Sequence, residues 1–185
     1  MGYILLGILL ALVLFVAILL VRAIRFKPRN ELVPAGDEIS LEEDKIVKDM
    51  QQLIRCKTIS YNDENLVDLA EFEKFRGLLP VLYPKLHKTC ELTQLGVNGL
   101  LYHWKGKEEG DPTVLMAHYD VVPVEEDQWE RDPFGAEVID GVLWGRGTLD
   151  TKGTLGGILE AAEKLIGEGF VPKRDVYFAF SGQEE

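Results

Sequence analysis

Residues 3–21 constrain the chain more than any other part of its sequence. All of them are uncharged, and almost none carries a polar atom in its side chain. At ~1.5 Å per residue, about 20 apolar residues in a helix span the hydrocarbon core of a bilayer. A surface helix of a soluble domain would have one polar face, and this segment has none. The sequence therefore predicts a transmembrane helix within residues 1–25, and a globular domain has to form from the residues that follow.

A cleaved signal peptide is the alternative interpretation of this segment. Signal peptides have a basic residue before a shorter apolar stretch and a small-x-small cleavage site after it. Here no cation precedes a long apolar stretch and no clear cleavage site follows, which favours a retained single-pass anchor. Cations on its C-terminal side favour a cytoplasmic body, but a short N-terminus can overrule this preference, so the sequence leaves the side open. Residues 26–39, with two prolines and a glycine, predict a linker.

The residues after the apolar segment are strongly acidic. The whole chain has a net charge of −11, and its first 30 residues contain four cations and no Asp or Glu, which leaves −15 for the rest. Nucleic acid binds to basic patches, so no nucleic-acid partner is expected. The acidity is compatible with a site for divalent cations. Cys56 and Cys90 are too few for a disulfide framework, and both are predicted to be free core thiols.

The body alternates between helical and extended patterns. A capping box at residues 40–43 predicts a helix that runs to about Cys56, and a second helix is predicted over residues 66–79, ended by Pro80 and Pro84. Apolar runs and turn signals predict a further helix over residues 155–166 and extended segments over residues 89–95, 100–104, 113–117, 138–139, 142–144 and 175–180. This order predicts an α/β fold over residues 40–185, in which helices sandwich a mainly parallel sheet.

Five polar side chains fall at the ends of these elements. His118 and Asp120 follow one predicted strand, Glu184 and Glu185 follow another, and Asp150 opens a helix. Ligands of open α/β sheets lie beyond the carboxyl ends of the strands, so we expect these side chains at one rim. Imidazole with carboxylates is a usual ligand set for catalytic zinc, cobalt or manganese. An excess of carboxylates suits two cations ~3.5–4 Å apart.

Each of these side chains also has a purely structural interpretation. A histidine after a strand is commonly a polar loop residue, Asp150 can cap its helix, and residues 184–185 can be a solvated acidic pair. The glycine-rich run at residues 145–153 is also compatible with a phosphate-binding nest. That run lacks the Gly-Lys-Ser/Thr ending of a P-loop, and its pattern is not GxGxxG. Only the coincidence of the clusters at one rim favours the metal site.

Taken in order, the motifs resemble those of a family of zinc metallopeptidases. The resemblance is carried by His118-Tyr119-Asp120-Val121-Val122-Pro123, Trp129, Pro133-Phe134, Asp140-Gly141, Trp144-Gly145-Arg146-Gly147, Asp150, Lys152-Gly153 and Glu184-Glu185. The family includes carboxypeptidase S, carboxypeptidase G, acetylornithine deacetylase, succinyl-diaminopimelate desuccinylase and aminoacylase. The resemblance is closest to the carboxypeptidase S and N-acyl-amino-acid hydrolase branch, and it runs from about Glu42 to the last residue.

The resemblance implies a role for each of the five side chains. His118 would bind one zinc ion, and Asp120 would hold its imidazole in the required tautomer. Asp150 would bridge both metals, and Glu185 would bind the second. Glu184 would be the general base that takes a proton from the bridging water and later gives it to the leaving nitrogen. Two Zn²⁺ per intact active site are implied, with Co²⁺ or Mn²⁺ as alternatives.

The family pattern also sets further expectations. The peptide bond after the bridging aspartate is often cis, which predicts a cis bond between Asp150 and Thr151. Gln183 stands where the family often has Asp, at a position peripheral to the metals. The family needs two more ligands, a carboxylate soon after the Glu pair and a histidine near the C-terminus, and it has an inserted domain for substrate binding and homodimerisation. The chain is therefore interpreted as an N-terminal fragment that binds zinc weakly and hydrolyses nothing by itself.

The leading functional hypothesis is a membrane-anchored di-zinc hydrolase of the metallo-carboxypeptidase or aminoacylase type. It would cleave an amide bond next to a free carboxylate, in a peptide C-terminus or an N-acyl amino acid, by metal-hydroxide attack. One alternative is a non-catalytic membrane-tethered binding protein of the same fold, which predicts the loss of a ligand or base, although all five positions are intact. The other is a phosphate-binding module, in which Lys152 would meet the anion despite the repelling charge of Asp150.

Overall fold

The computed structural model describes residues 2–26 and 39–185. These residues fall into two compact units, divided between Leu41 and Glu42. Apart from its two end residues, the predicted linker over residues 26–39 lies outside the described residues.

The first unit contains one long helix, α1, which spans Gly2–Ile24. Its side chains are exposed along its whole length, and no charged residue interrupts it before Arg22. The helix is long and apolar enough to cross a membrane by length and composition. A signal sequence near the N-terminus would meet the same criteria, so α1 is a candidate membrane span.

The second unit contains four helices and six strands that are used below. The helices are α2 (Glu43–Ile54), α3 (Leu69–Leu82), α4 (Pro84–Thr89) and α5 (Lys152–Gly167). The strands are β1 (Glu91–Leu95), β2 (Gly99–Trp104), β3 (Thr113–His118), β4 (Val138–Ile139), β5 (Val142–Leu143) and β6 (Val176–Ser181). Four strands form a sheet in the order β1-β2-β6-β3, and β4 and β5 form a separate hairpin.

The larger sheet is mixed, so the expectation of a mainly parallel sheet is wrong for the described residues. β1 and β2 pair antiparallel because a tight turn joins them, and β2 also pairs antiparallel with β6. Only β3 and β6 are parallel, and α5 provides the crossover that a parallel pair requires. The apolar runs in the sequence indicate which segments are strands. They do not indicate whether neighbouring strands pair parallel or antiparallel.

The sheet has one face in the core and one less buried face. Tyr102 and Phe178 lie on the covered face, and both pack in the core with side chains of the helices. Val114 and Met116 point from β3 to the opposite face, where they are exposed. Within residues 39–185, helices therefore cover one face of the sheet. The prediction that helices enclose both faces is wrong for these residues.

Helix α5 fixes the position of the glycine-rich run against the sheet. Leu155, Leu159 and Ala162 are buried at a spacing of four and three residues, which is the spacing of one helical face. This face packs onto β3 and α2, so the N-terminal end of α5 is held next to the end of β3.

Two helix boundaries differ from the sequence prediction. α2 begins at Glu43 after Glu42, and no side chain caps it, so the predicted capping box at residues 40–43 does not form. Pro80 lies inside α3 instead of ending it. A proline lacks one backbone donor, but here the helix continues to Leu82 and α4 begins at Pro84, where a proline is well suited to the first turn.

Candidate metal centre

The end of β3, the start of α5 and the end of β6 bring three predicted ligands together. One potential ligand atom from each of His118, Asp150 and Glu185 lies within 4.8 Å of the others. The His118 Nε2 atom is 3.1 Å from Asp150 Oδ1 and 3.5 Å from an oxygen of Glu184. The parallel pairing of β3 with β6 produces this arrangement, because it places His118 opposite Ser181. The pairing extends one residue further, where Tyr119 N–H donates a hydrogen bond to the Ser181 carbonyl (2.8 Å).

Asp120 lies behind this cluster and contacts both halves of it. Its side chain is fully buried, and its Oδ2 atom accepts hydrogen bonds from the backbone N–H groups of Glu184 (2.9 Å) and Glu185 (3.1 Å). Its Oδ1 atom is 3.4 Å from His118 Nδ1, and its backbone carbonyl is 3.1 Å from the same nitrogen. One aspartate thus holds the imidazole on one side and the backbone of the Glu pair on the other.

Thr151 connects the other two elements of the site. Its hydroxyl accepts a hydrogen bond from His118 N–H and donates one to the His118 carbonyl, both at 3.0 Å. The peptide bond between Asp150 and Thr151 is cis, which confirms the expectation drawn from the resemblance. The side chain of Asp150 therefore projects toward His118 from a turn that is tied to the last residue of β3.

The electrostatics of the cluster reflect several carboxylates around one imidazole. Burial by itself lowers the pKa of His118, but the Asp150 carboxylate, the Asp120 carbonyl and the charges of Asp120 and Glu184 raise it more, so the net shift is upward. The pKa of Glu185 is raised by burial and by the nearby charges of Asp150 and Glu184, against the opposing effect of His118. A cation bound between these groups would relieve the repulsion among the carboxylates.

The residues present fit a metal of the zinc type. The cluster joins an imidazole nitrogen with carboxylate oxygens, which is the donor set of catalytic zinc sites. The His118 side chain is 9% exposed, while the Asp150 and Glu184 side chains are 75% and 59% exposed, so the cluster is anchored in the protein on one side and open on the other. The buried Asp120 Oδ1 has no hydrogen-bond partner among the described residues, and it faces His118 Nδ1, which supports a role in orienting the imidazole.

Lys152 does not face this open side. Its side chain is fully buried, and its ammonium donates hydrogen bonds to the carbonyls of Leu53 (3.2 Å) and Cys56 (2.7 Å) at the C-terminal end of α2. The same ammonium lies 5.5 Å from the centre of the Phe75 ring. The lysine that the phosphate-binding hypothesis required is therefore engaged inside the protein.

Sequence reasoning missed two side chains that organise the cluster. The bonds of Thr151 to His118 span 33 residues, and a hydrogen bond from Ser60 to Asp120 spans 60 residues. Neither residue type is distinctive, and Ser60 belongs to none of the motifs, so no local signal marks it.

The mixed α/β fold with this cluster at its rim is similar to that of metallopeptidase catalytic domains. The family described as "Peptidase family M20/M25/M40" matches residues 114–185, which contain all five predicted site residues. The match over these residues confirms the resemblance seen in the sequence.

Curated relatives extend the similarity over nearly the whole chain. A probable carboxypeptidase S-like 2 of Dictyostelium discoideum is 38% identical over 98% of this chain and 36% of its own length. An N-fatty-acyl-amino acid synthase/hydrolase of Danio rerio is 30% identical over 96% of this chain and 36% of its own length. The chain thus spans about a third of the length of these curated relatives.

Solved structures show the same fold. Human carnosine dipeptidase 1 superposes with a TM-score of 0.64 at 17% identity, over 77% of this chain and 32% of its own. The M20 family metallo-carboxypeptidase Sso-CP2 of Sulfolobus solfataricus superposes with a TM-score of 0.59 at 22% identity, over 78% and 31%.

Proposed function

We propose that the protein is a two-metal hydrolase that cleaves an amide bond next to a free carboxylate. The single observation that carries this proposal is the convergence of His118, Asp150 and Glu185 around one point at the sheet rim. The names of the relatives support the substrate class, since carboxypeptidases and N-fatty-acyl-amino acid hydrolases both act at an amide beside a carboxylate.

Each of the site residues would have a different role in this reaction. His118, Asp150 and Glu185 would hold the metals, with Asp150 shared between them. Bound there, the cations would polarise the substrate carbonyl and make an attacking water more acidic. Glu184, whose side chain is exposed and lies 3.5 Å from the His118 imidazole, would take the proton from that water and return it to the leaving nitrogen. Asp120 would keep His118 in the tautomer that leaves Nε2 free for the metal.

The metal, the anchor and the assembly are further parts of the proposal. Zn²⁺ suits this donor set, and Co²⁺ or Mn²⁺ in place of Zn²⁺ would be distinguished by metal analysis. The α1 helix would tether the enzyme to a membrane, and homodimerisation would use the family's inserted domain. Since the family uses two further ligands, residues 1–185 by themselves are expected to bind zinc weakly and not to turn over substrate.

The proposal is tested with the full-length protein lacking residues 1–30, beside its Glu184→Gln variant. We expect about two zinc ions in both proteins, and hydrolysis of N-acyl amino acids or dipeptides by the parent only. Loss of the general base should lower kcat by about 10²–10⁴-fold. Glu168→Gln, at the opposite end of α5, is the matched control and should keep full activity.

Either of two results would overturn this mechanism. A parent protein without bound metal would remove the metal centre, and a Glu184→Gln variant as active as the parent would remove the base. In both cases the non-catalytic binding protein becomes the leading interpretation.

A further inference from the structure

Among the described residues, Ser60 makes the one side-chain hydrogen bond to Asp120 that comes from outside the recognised motifs. Its hydroxyl donates a hydrogen bond of 2.7 Å to Asp120 Oδ2. Ser60 is partly buried, whereas the aspartate that it contacts is fully buried. A hydrogen bond to a buried carboxylate is among the stronger hydrogen bonds in proteins, because the acceptor is charged.

The backbone around Ser60 is fixed against the segment that carries Asp120. Residues 58–60 run alongside residues 119–121 as a short parallel bridge between Ile59 and Val121. Val121 N–H donates to the Thr58 carbonyl (2.9 Å), and Ser60 N–H donates to the Val121 carbonyl (3.0 Å). These bonds set the distance from the Ser60 backbone to Asp120, so the hydroxyl reaches the carboxylate without depending on a mobile loop.

The two oxygens of Asp120 have unequal surroundings. Oδ2 accepts three hydrogen bonds, from Ser60 and from the N–H groups of Glu184 and Glu185, while Oδ1 has no partner among the described residues and faces His118 Nδ1 at 3.4 Å. The three donors hold the carboxylate in one rotational position. In that position Oδ1 is directed at the imidazole and Oδ2 at the Glu pair.

We propose that Ser60 is a positioning residue of the metal centre, acting through Asp120. Its hydroxyl fixes the carboxylate plane, and through that plane it fixes both the imidazole of His118 and the backbone of Glu184 and Glu185. The role of Ser60 in turnover rests on the proposed hydrolase function, while its role in arranging the ligands requires only that the cluster binds metal.

The test compares three variants of the full-length protein. Ser60→Ala removes the hydroxyl, Ser60→Thr keeps it, and Thr58→Val is the matched control. Thr58 is fully buried two residues away and donates its hydroxyl to the Tyr119 carbonyl at 2.5 Å, so its loss removes a hydroxyl hydrogen bond of the same segment but none to Asp120. Zinc affinity, kcat, KM and the melting temperature are measured for each protein.

We expect Ser60→Ala to lower kcat or zinc affinity by about 10–100-fold, the usual effect of removing a group that orients metal ligands. Ser60→Thr should restore most of this loss. Thr58→Val should lower the melting temperature and keep the kcat and zinc affinity of the parent. Rescue by threonine together with this contrast between the two sites is not expected for a merely structural hydroxyl.

Each contrary result has a distinct meaning. Parent-like kcat and zinc affinity in Ser60→Ala, failure of Ser60→Thr to restore them, or equal losses in Ser60→Ala and Thr58→Val would overturn the role of Ser60 and leave the hydrolase proposal standing. If the parent binds zinc but does not hydrolyse amides, the hydrolase proposal fails and the zinc affinities of the variants still decide the role of Ser60. If the parent neither binds zinc nor hydrolyses amides, both proposals fall.

Discussion

Lys152 is a buried cation that stands only two residues after Asp150. Its ammonium is satisfied by the two carbonyls at the end of α2 instead of by a carboxylate. Those carbonyls carry the partial negative charge of a helix C-terminus, which compensates part of the cost of burying the charge. The remaining cost lowers the pKa of Lys152 to about 8.

This pKa predicts how the stability of the protein changes with pH. An unfolded chain holds the lysine proton up to a pKa of about 10.4. Between pH 8 and that value the unfolded state binds more protons than the folded state, so the free energy of unfolding contributed by Lys152 rises with pH, by at most ~1.4 kcal/mol per pH unit. Below pH 8 both states are protonated and the penalty of burial is constant.

Urea unfolding of the parent and of Lys152→Met across this pH window measures the effect. We expect the difference in unfolding free energy to move in favour of the parent as the pH rises. Lys48→Met, which removes an exposed lysine from α2, should keep the pH slope of the parent. Identical slopes for the parent and Lys152→Met would contradict the low pKa.

At the scale of elements, the site depends on the close contact between the first turn of α5 and the loop that precedes this helix. A Cβ atom added to Gly153 would lie 2.3 Å from the Thr148 carbonyl oxygen, which is a backbone atom that cannot move away cheaply. Gly157, one turn further along α5, has open space at the same position. Substitutions at these two glycines therefore distinguish the effect of packing at the site from the general effect of glycine in a helix.

Gly153→Ala should displace the turn that carries Asp150. We expect a loss of about 1–3 kcal/mol of stability, typical of overpacking, together with reduced zinc affinity. Gly157→Ala should instead raise stability by about 0.5–1 kcal/mol, because alanine loses less backbone entropy than glycine in a helix. Chemical unfolding and zinc titration of both variants test this, and equal effects at the two positions would refute the close approach.

At the scale of the whole molecule, α1 is a candidate membrane span by its length and composition. An apolar helix of this length is predicted to remain in the membrane as an anchor. We expect the full-length protein to stay in the membrane pellet after alkaline carbonate extraction, and a variant without residues 1–26 to be released. Deletion of residues 27–38 is the control and should keep the protein in the pellet.

The mass of the mature N-terminus separates an anchor from a signal sequence. An anchor retains the α1 residues in the mature protein. A mature chain that begins after α1 would show that the segment is cleaved, and the membrane localisation would then be wrong.

The sequence by itself determined most elements and the identity of the cluster. Period and turn signals located β3, β6 and α5, since apolar runs, helical spacing and glycine-rich turns are local properties. The Asp140-Gly141 turn was predicted in the same way, and both residues have positive φ between β4 and β5. His118, Asp150 and Glu185 were placed at one rim because strand ends and helix starts meet there.

Only the tertiary structure decided what depends on contacts between distant segments. Four features depend on such contacts: the pairing of β2 with β6, the buried hydrogen bond of Lys152, and the hydrogen bonds of Ser60 and Thr151. Each joins residues that are 33 to 99 positions apart in the sequence. A serine or a lysine has no sequence pattern that names such a partner. The chemistry of the site is therefore encoded in recognisable motifs, whereas the orientation of its side chains arises from packing, because hydrogen bonds form wherever the folded chain brings donor and acceptor together.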